Sequence, residues 1–417
     1  MHSALSGAEY KNMHDINRRD MVGNIKLTNS KPNILMFAKI QIFSIIFLQK
    51  LAIPIGADGE IQLVLPIFLL SLLFIKAKDS FKIDIMNSMS YILFIIIATI
   101  SQIIAFKISI NSFGLLIALY ILFLLKFEIN RNNYAEIQGF FVNCMAIISC
   151  ITIYQAITQY TVGIEYWPNL DKILPNQILF SNYNYMQRLS YLSIYFKPNG
   201  IFLLEASFIS QFCVIALIIE ILTFRRIIVS SLLSISIVLS LSGTGLMILG
   251  FCAPVLIGRA SGRMIVAAIV VIITTAIAGS FIGWFDTITN RMTEFSSQGT
   301  SGYARFAVPI NLFIEQISDP AFLITGNGAG QTVKGAGDYI LLPFAKLVSE
   351  YGTAAFLSFY AFIIIAIFHK TANFELGFML FIFYNISGST LVLPSCVLLI
   401  PILSTMYSVK LEVQTKD

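Results

Sequence analysis

The sequence predicts an all-α polytopic membrane protein of about 12 transmembrane helices, and three observations carry that expectation. First, of 417 residues 57% are hydrophobic and only 12% charged, about half the charge of a soluble domain. A globule of this size must present more polar surface than that. Second, the apolar residues gather into runs near the ~20 residues that cross a bilayer. Third, the basic residues fall on alternate connections, as the positive-inside rule requires. A soluble enzyme, a disordered chain and a nucleic-acid-binding domain are thereby excluded. The net charge of +5 is scattered along the chain rather than gathered in a patch.

In chain order, residues 1–33 are polar, carry Lys11, Arg18, Arg19, Lys26 and Lys31, and read as a cytoplasmic tail. A cleavable signal peptide would place its apolar core earlier. One integral membrane domain follows over 34–407. Its apolar runs lie at about 34–55, 61–75, 89–106, 110–127, 138–160, 200–224, 227–242, 244–257, 264–283, 351–368, 374–389 and 391–407. Ser242-Gly243-Thr244 divides the seventh run from the eighth, where Gly243 suits a sharp reversal. Residues 408–417 form a second cytoplasmic tail. With both termini inside, the cytoplasmic segments carry 17 basic residues and the four short outer loops only Lys107. Lys39 and Lys50 fall in or near the first run, where their long stems can snorkel. The cysteines all lie in apolar runs, so neither a disulfide nor a thiolate metal site is expected.

Two non-cytoplasmic segments are long, about 161–199 and 284–350, and hold most of the polar chemistry. The first contains Glu165, Tyr166, Trp167, Asp171, Arg188, Tyr195 and Lys197. Its aromatic residues read either as a membrane-interface belt or as a platform for sugar rings. The second contains Arg291, Tyr303, Arg305, Asp338, Lys346 and Glu350. Arginine suits bidentate phosphate binding, so a lipid-diphosphate substrate is one ligand such loops would take. Phe306, Ile310, Phe313, Ile314 and Ile317 have helical spacing, with Pro309 in a first turn. They predict a short amphipathic helix on the outer membrane face, with Arg305 at its start. Glu205 lies about one turn inside the sixth run, and an ionisable group in a span is a functional candidate. Glu220, beside Arg225 and Arg226, reads as an ordinary interfacial pair. The histidines (His2, His14 and His369) all fall on the cytoplasmic side, so outer-face acid–base work would rest on Glu, Asp, Tyr or a substrate phosphate. No metal constellation or cofactor is expected. Gly326-Asn-Gly-Ala-Gly330 reads as a tight turn with close backbone approach, not a phosphate loop.

Four segments, in order, resemble the O-antigen and exopolysaccharide polymerase family. Lys197-Pro-Asn-Gly-Ile-Phe-Leu-Leu-Glu-Ala-Ser207 is similar to the family's Arg-x-x-Gly-x-Phe-x-Glu-Pro-Ser. Lys197 stands for the Arg, one residue is added before the Glu, and Ala206 stands for the Pro. Leu239-Ser-Leu-Ser-Gly-Thr-Gly-Leu246 resembles the following Ser-x-Ser-x-x-Gly. Tyr303-Ala-Arg305, a helix, Asp319-Pro320 and Gly326-Asn-Gly328 resemble the large loop, and Ser349-Glu-Tyr-Gly352 the Glu-x-Gly opening the next span. The resemblance implies a metal-independent, GT-C-like glycosyltransferase in a bacterial inner membrane, with its long loops in the periplasm. Its substrate would be an undecaprenyl-diphosphate-linked oligosaccharide, and by analogy a chain-length regulator would be a partner.

On that resemblance Arg305 is assigned to the diphosphate, with Arg291, Arg188 and Lys197 as supporting cations. Tyr195 and Tyr303 would line the substrate. Glu205 is the candidate base for the acceptor hydroxyl, or the orienter of a cation, and Asp338 a second base. The related ligases carry a His about nine residues before the Glu-x-Gly, where this chain has Leu341, which favours polymerase over ligase. Neither Arg188 nor Arg305 fits the family's Arg followed by fifteen residues and Gly. A flippase for the same lipid-linked sugars would place its polar site at mid-span within internal repeats, and neither is evident here.

Overall fold

A computed structural model describes residues 32–55, 59–76, 81–105, 107–181, 183, 185–189, 193–257, 262, 303, 307–318, 320, 325–331, 341–369, 373–386 and 391–409. The chain divides by its contacts into Met1–Pro32 and Asn33–Asp417, and the helical bundle is the second of these units. The ninth apolar run, Arg291, Arg305 and Asp338 lie outside the described residues.

The elements are α1 (Pro32–Phe47), β1 (Ala52–Ile55), β2 (Gly59–Gln62), α2 (Val64–Lys76), β3 (Lys82–Ile83), α3 (Ile85–Ile104), α4 (Ile110–Tyr120), β4 (Leu125–Ile129) and α5 (Arg131–Thr161). Then come α6 (Ala206–Ile219), α7 (Ile227–Leu239), α8 (Gly243–Ile257), α9 (Val308–Ile317), α10 (Pro343–Phe368), α11 (Phe374–Ile386), α12 (Pro394–Ile400) and β5 (Tyr407–Val409). The chain is mostly helical. Among the described residues, four helices are long and apolar enough to cross a membrane: α3, α5, α6 with its π-helical extension to Phe224, and α10. Seven shorter apolar helices, of 10–17 residues, cover the other described runs.

The helices begin where the sequence supplies caps. Asp84 accepts from the backbone N–H of Met86 and Asn87 at the start of α3, Ser109 from Ser112 at α4, and Asn130 from Asn133 at α5. On α3, Asn87, Tyr91, Phe94, Ala98 and Ser101 form one buried stripe. It lies against α10, with Phe94 on Phe359 at 4.9 Å and Tyr91 on Phe362 at 5.1 Å. The opposite face turns Met89, Ile92, Ile96, Ile100 and Ile103 outward, Ile103 to 78% exposure. An apolar outer face of that length belongs in hydrocarbon, not water. Every residue of α6 is buried, so it is the central helix of the bundle.

Successive helices reverse, which gives the bundle two ends. At one, the sheet end, β3 pairs antiparallel with β4 and β4 parallel with β5, joining the starts of α3 and α5 to the chain after α12. At the other, the loop end, stand the β1–β2 hairpin, the described residues among 162–205, the α7–α8 turn and residues 325–331. The first predicted run, 34–55, departs from the structure. Its helix stops at Phe47, because residues 52–55, including Pro54, pair with β2 instead.

Candidate functional site

The segment after α5 is held to the bundle by glutamines. Gln155 donates to the Pro168 carbonyl (2.9 Å) and Asn199 Oδ1 (3.1 Å), and accepts from the N–H of Asn199 and Gly200. One turn on, Gln159 holds Phe196 by both backbone groups at 3.0 Å. Gln49, just past α1, accepts from Leu204 N–H (3.0 Å) and donates to Ser395 Oγ (3.1 Å). Buried amides in a span are costly unless fully paired, and these meet backbone that would otherwise be orphaned.

Three of the predicted substrate-binding residues meet here. Arg188 bridges Phe196 in antiparallel register, with Leu189 N–H donating to the Tyr195 carbonyl (2.9 Å) and Lys197 N–H to the Gln187 carbonyl (2.8 Å). Alternation along that short ladder sets Tyr195 and Lys197 on one face and Phe196, opposite Arg188, on the other. Arg188 is exposed and Lys197 half-buried. Tyr195 packs on Tyr160 at 4.6 Å. Trp167 is 2% exposed and stacked on Phe196 at 5.6 Å, so it serves packing and offers no open ring, whereas Tyr166 is 66% exposed.

Glu205 is buried, but at the N-cap of α6 rather than a turn inside a helix. Residues 200–205 are irregular, because Gly200 and Ile201 take positive φ (63° and 67°). The Ser207 hydroxyl donates to Glu205 Oε2 at 3.2 Å. A carboxylate at a helix N-terminus is favoured by the helix dipole. From α6, Ser210 donates to the Ser242 carbonyl (3.3 Å) and Gln211 to Thr244 Oγ1 (3.1 Å). Gly245 permits this approach, since a Cβ there would stand 1.9 Å from Ser210 Oγ and 2.7 Å from its backbone.

Beside Glu205's loop lies a pair that sequence reasoning passed over. Lys50, read as a snorkelling residue, is 1% exposed and bonds Asp171 at 2.9 Å. The Tyr185 ring stands 4.8 Å from its ammonium, and the Tyr185 hydroxyl donates to the Phe180 carbonyl. Burial pulls the Lys50 ammonium below its ordinary 10.5 even though Asp171 pulls the other way. Burial, aided by Asp171 and Glu60, pushes the Tyr185 phenol up. The second carboxylate oxygen of Asp171 is buried with no hydrogen-bond partner among the described residues. A lysine in or near the end of the first apolar run was the available signal, but it is equally the signal of snorkelling.

The second polar cluster joins residues 325–331 to the start of α10. Asn327 N–H donates to the Ser349 carbonyl (2.7 Å) and Gly328 N–H to the Glu350 carbonyl (3.1 Å). Gln102, at the end of α3, donates to that same Glu350 carbonyl (3.0 Å) and accepts from Ala329 N–H (2.7 Å). Gly328 has φ 93°, and a Cβ on it would fall 1.8 Å from the Lys107 carbonyl oxygen, so the expected close backbone approach is present. At Gly352 (φ 78°) the helix kinks. Glu350 is 1% exposed, and its Oε1 has no hydrogen-bond partner among the described residues. Glu350 falls in the segment that resembles the Glu-x-Gly motif, and its burial beside residues 325–331 shows only in the fold.

The predicted amphipathic helix is present as α9. Phe313 packs on Phe344 at 5.9 Å, and Ile310 and Ile314 face outward. Tyr303 is half-buried. Glu220 forms its expected pair with Arg226 at 2.8 Å, and Arg225 instead takes the left-handed reversal after α6. No protein-family model matches the chain, and neither a curated protein nor a solved structure matches it.

Proposed function

We propose that the chain is a polysaccharide polymerase joining undecaprenyl-diphosphate-linked oligosaccharide repeat units at the periplasmic face of a bacterial inner membrane. One observation supports this most. The segments that resemble the polymerase family come together in pairs at the loop end, the first pair through Ser210 and Gln211 just past its motif. The helix opening after Glu205 touches Ser242 and Thr244, and Asn327 and Gly328 bond to Ser349 and Glu350. On this reading the loop end is periplasmic, the fold is GT-C-like with twelve spans, and both termini are cytoplasmic.

The growing glycan is then the donor and the sugar terminus of a new lipid-linked unit the acceptor. A glycosidic bond forms at the donor's anomeric carbon as its bond to diphosphate breaks, and the diphosphate takes the electron pair. Arg188 and Lys197, with Arg305 and Arg291, neutralise the charge that develops there. Glu205 accepts the proton of the attacking hydroxyl, with Glu350 and Asp338 as further carboxylates for that role. A chain-length regulator would act beside it.

The test is deletion of the encoding locus in its host, with surface polysaccharide run on a gel. Wild type should restore a ladder, whereas Arg305→Ala and Glu205→Gln, expressed at wild-type level, should leave single repeats. Normal chain length in both variants would overturn the assignment. Lipid-linked units trapped inside the cell would make the protein a flippase, and loss only of transfer to the outer acceptor would make it a ligase.

A further inference from the structure

At the sheet end a cleft of about 470 Å³ opens between α1, the first turns of α5 and the end of the π-helical extension of α6. Its depth is set by the chain. Arg226 follows two residues after Phe224, the last residue of a helix apolar enough to cross a membrane, so the cleft lies where hydrocarbon gives way to headgroups. Its wall is mixed: Phe140, Phe224 and Ala135 are apolar, and Lys39 and Arg226 are cationic. Each cation rests on a ring, Lys39 5.8 Å from Phe140 and Arg226 5.0 Å from Phe224, and their side chains are 35% and 40% exposed.

Both cations have donors to spare. Arg226 gives Nε–H and one Nη2–H to the buried carboxylate of Glu220, and one Nη1–H to Asn143 Oδ1 at 2.9 Å. A guanidinium has five N–H groups, so two remain. Lys39 gives one of three to Glu136 at 2.7 Å. Four N–H groups on two cations, above an apolar floor at headgroup depth, suit a phosphodiester with its acyl chains in the bilayer.

We propose that this cleft holds the phosphate of an anionic phospholipid, bridged between the Lys39 ammonium and the Arg226 guanidinium. Glu136 competes for Lys39 and is half exposed, so it yields when the lipid enters. The site is independent of the polymerase reading and lies at the opposite end of the bundle.

Titration of the purified full-length protein with phosphatidylglycerol, phosphatidylcholine and inorganic phosphate, read by native mass spectrometry, tests it. Phosphatidylglycerol should bind at least about five-fold more tightly than phosphatidylcholine for each cation engaged. Lys39→Ala should remove about that factor, and Glu136→Gln should tighten binding by removing the competitor. The Lys39–Glu136 pair is exposed, so neither variant threatens the fold. Arg226 is left intact because its loss would strand Glu220. Equal affinity for both lipids, or no change in either variant, overturns the proposal. Inorganic phosphate binding as tightly as phosphatidylglycerol overturns the lipid as its source.

Discussion

The two ends of the bundle treat buried carboxylates differently. At the sheet end Glu220 is fully buried, yet both its oxygens accept from Arg226, and Oε1 also takes that residue's backbone N–H. At the loop end Glu350 and Asp171 each keep one buried oxygen without a hydrogen-bond partner among the described residues. A buried charge that is fully paired is structural, because removing its partner costs more than the pair contributes. Among the described residues, unpaired buried polar atoms occur at both ends, Asn87 Oδ1 and the Tyr407 hydroxyl at the sheet end among them, so the difference lies in the carboxylates. The contrast is between a carboxylate that holds the bundle together and carboxylates that, on the proposed reading, lie at the end where the chemistry takes place.

The largest effect should come from removing the partner of the paired carboxylate. Arg226→Met strands the fully buried Glu220 carboxylate and should cost about 3–5 kcal/mol in detergent unfolding. Glu350→Gln removes a buried charge that no described cation bonds, and should shift stability by about 1 kcal/mol or less. Equal costs at both ends would erase the distinction. Next come the glycines. Gly328→Ala must place a Cβ against the Lys107 carbonyl at φ 93°, a loss of about 3 kcal/mol. Gly139→Ala at the sheet end meets only the rim of the Phe224 ring, at 3.1 Å. The gain in helix propensity, about 0.5–1 kcal/mol, should offset that contact. Thermal midpoints of the two variants read the difference directly.

The smallest effect is a slope. The folded-state value of Lys50 lies below 10.5, so between the two the unfolded chain binds more protons than the folded one. Stability contributed by Lys50 therefore rises with pH through that window. Tyr185, shifted upward from 10.0, acts in the opposite sense only above pH 10. Unfolding midpoints measured up to pH 10 should climb less steeply in Lys50→Met than in wild type. An unchanged slope would mean that the Lys50 ammonium is not desolvated.

Much of the fold was legible because membrane burial imposes a one-dimensional rule. Each span must satisfy its own backbone and be apolar over its length, so the runs near α3, α5, α6 and α10 could be read from composition. Caps such as Asp84 and Asn130 act within three residues and are equally local. The end of α1 was only partly legible. Gln49, Lys50 and Pro54 interrupt the apolar run, but the pairing of residues 51–55 with β2 and with Leu179 is a matter of tertiary structure. For the site, Arg188, Tyr195 and Lys197 could be named as loop residues, but a composition cannot state a register.

The sequence alone determined a helical chain whose apolar helices suit a membrane, and the candidate polar segments along it, because hydropathy and capping are properties of neighbouring residues. The tertiary structure decided which of those segments meet. Lys50 with Asp171, Gln102 with Glu350, and Ser210 with Ser242 are separated by 121, 248 and 32 residues. Their pairing depends on where helices reverse and on how closely Gly245 and Gly328 let the backbones approach. Whether a buried charge is satisfied is a property of such meetings, and so could be read only from the folded chain.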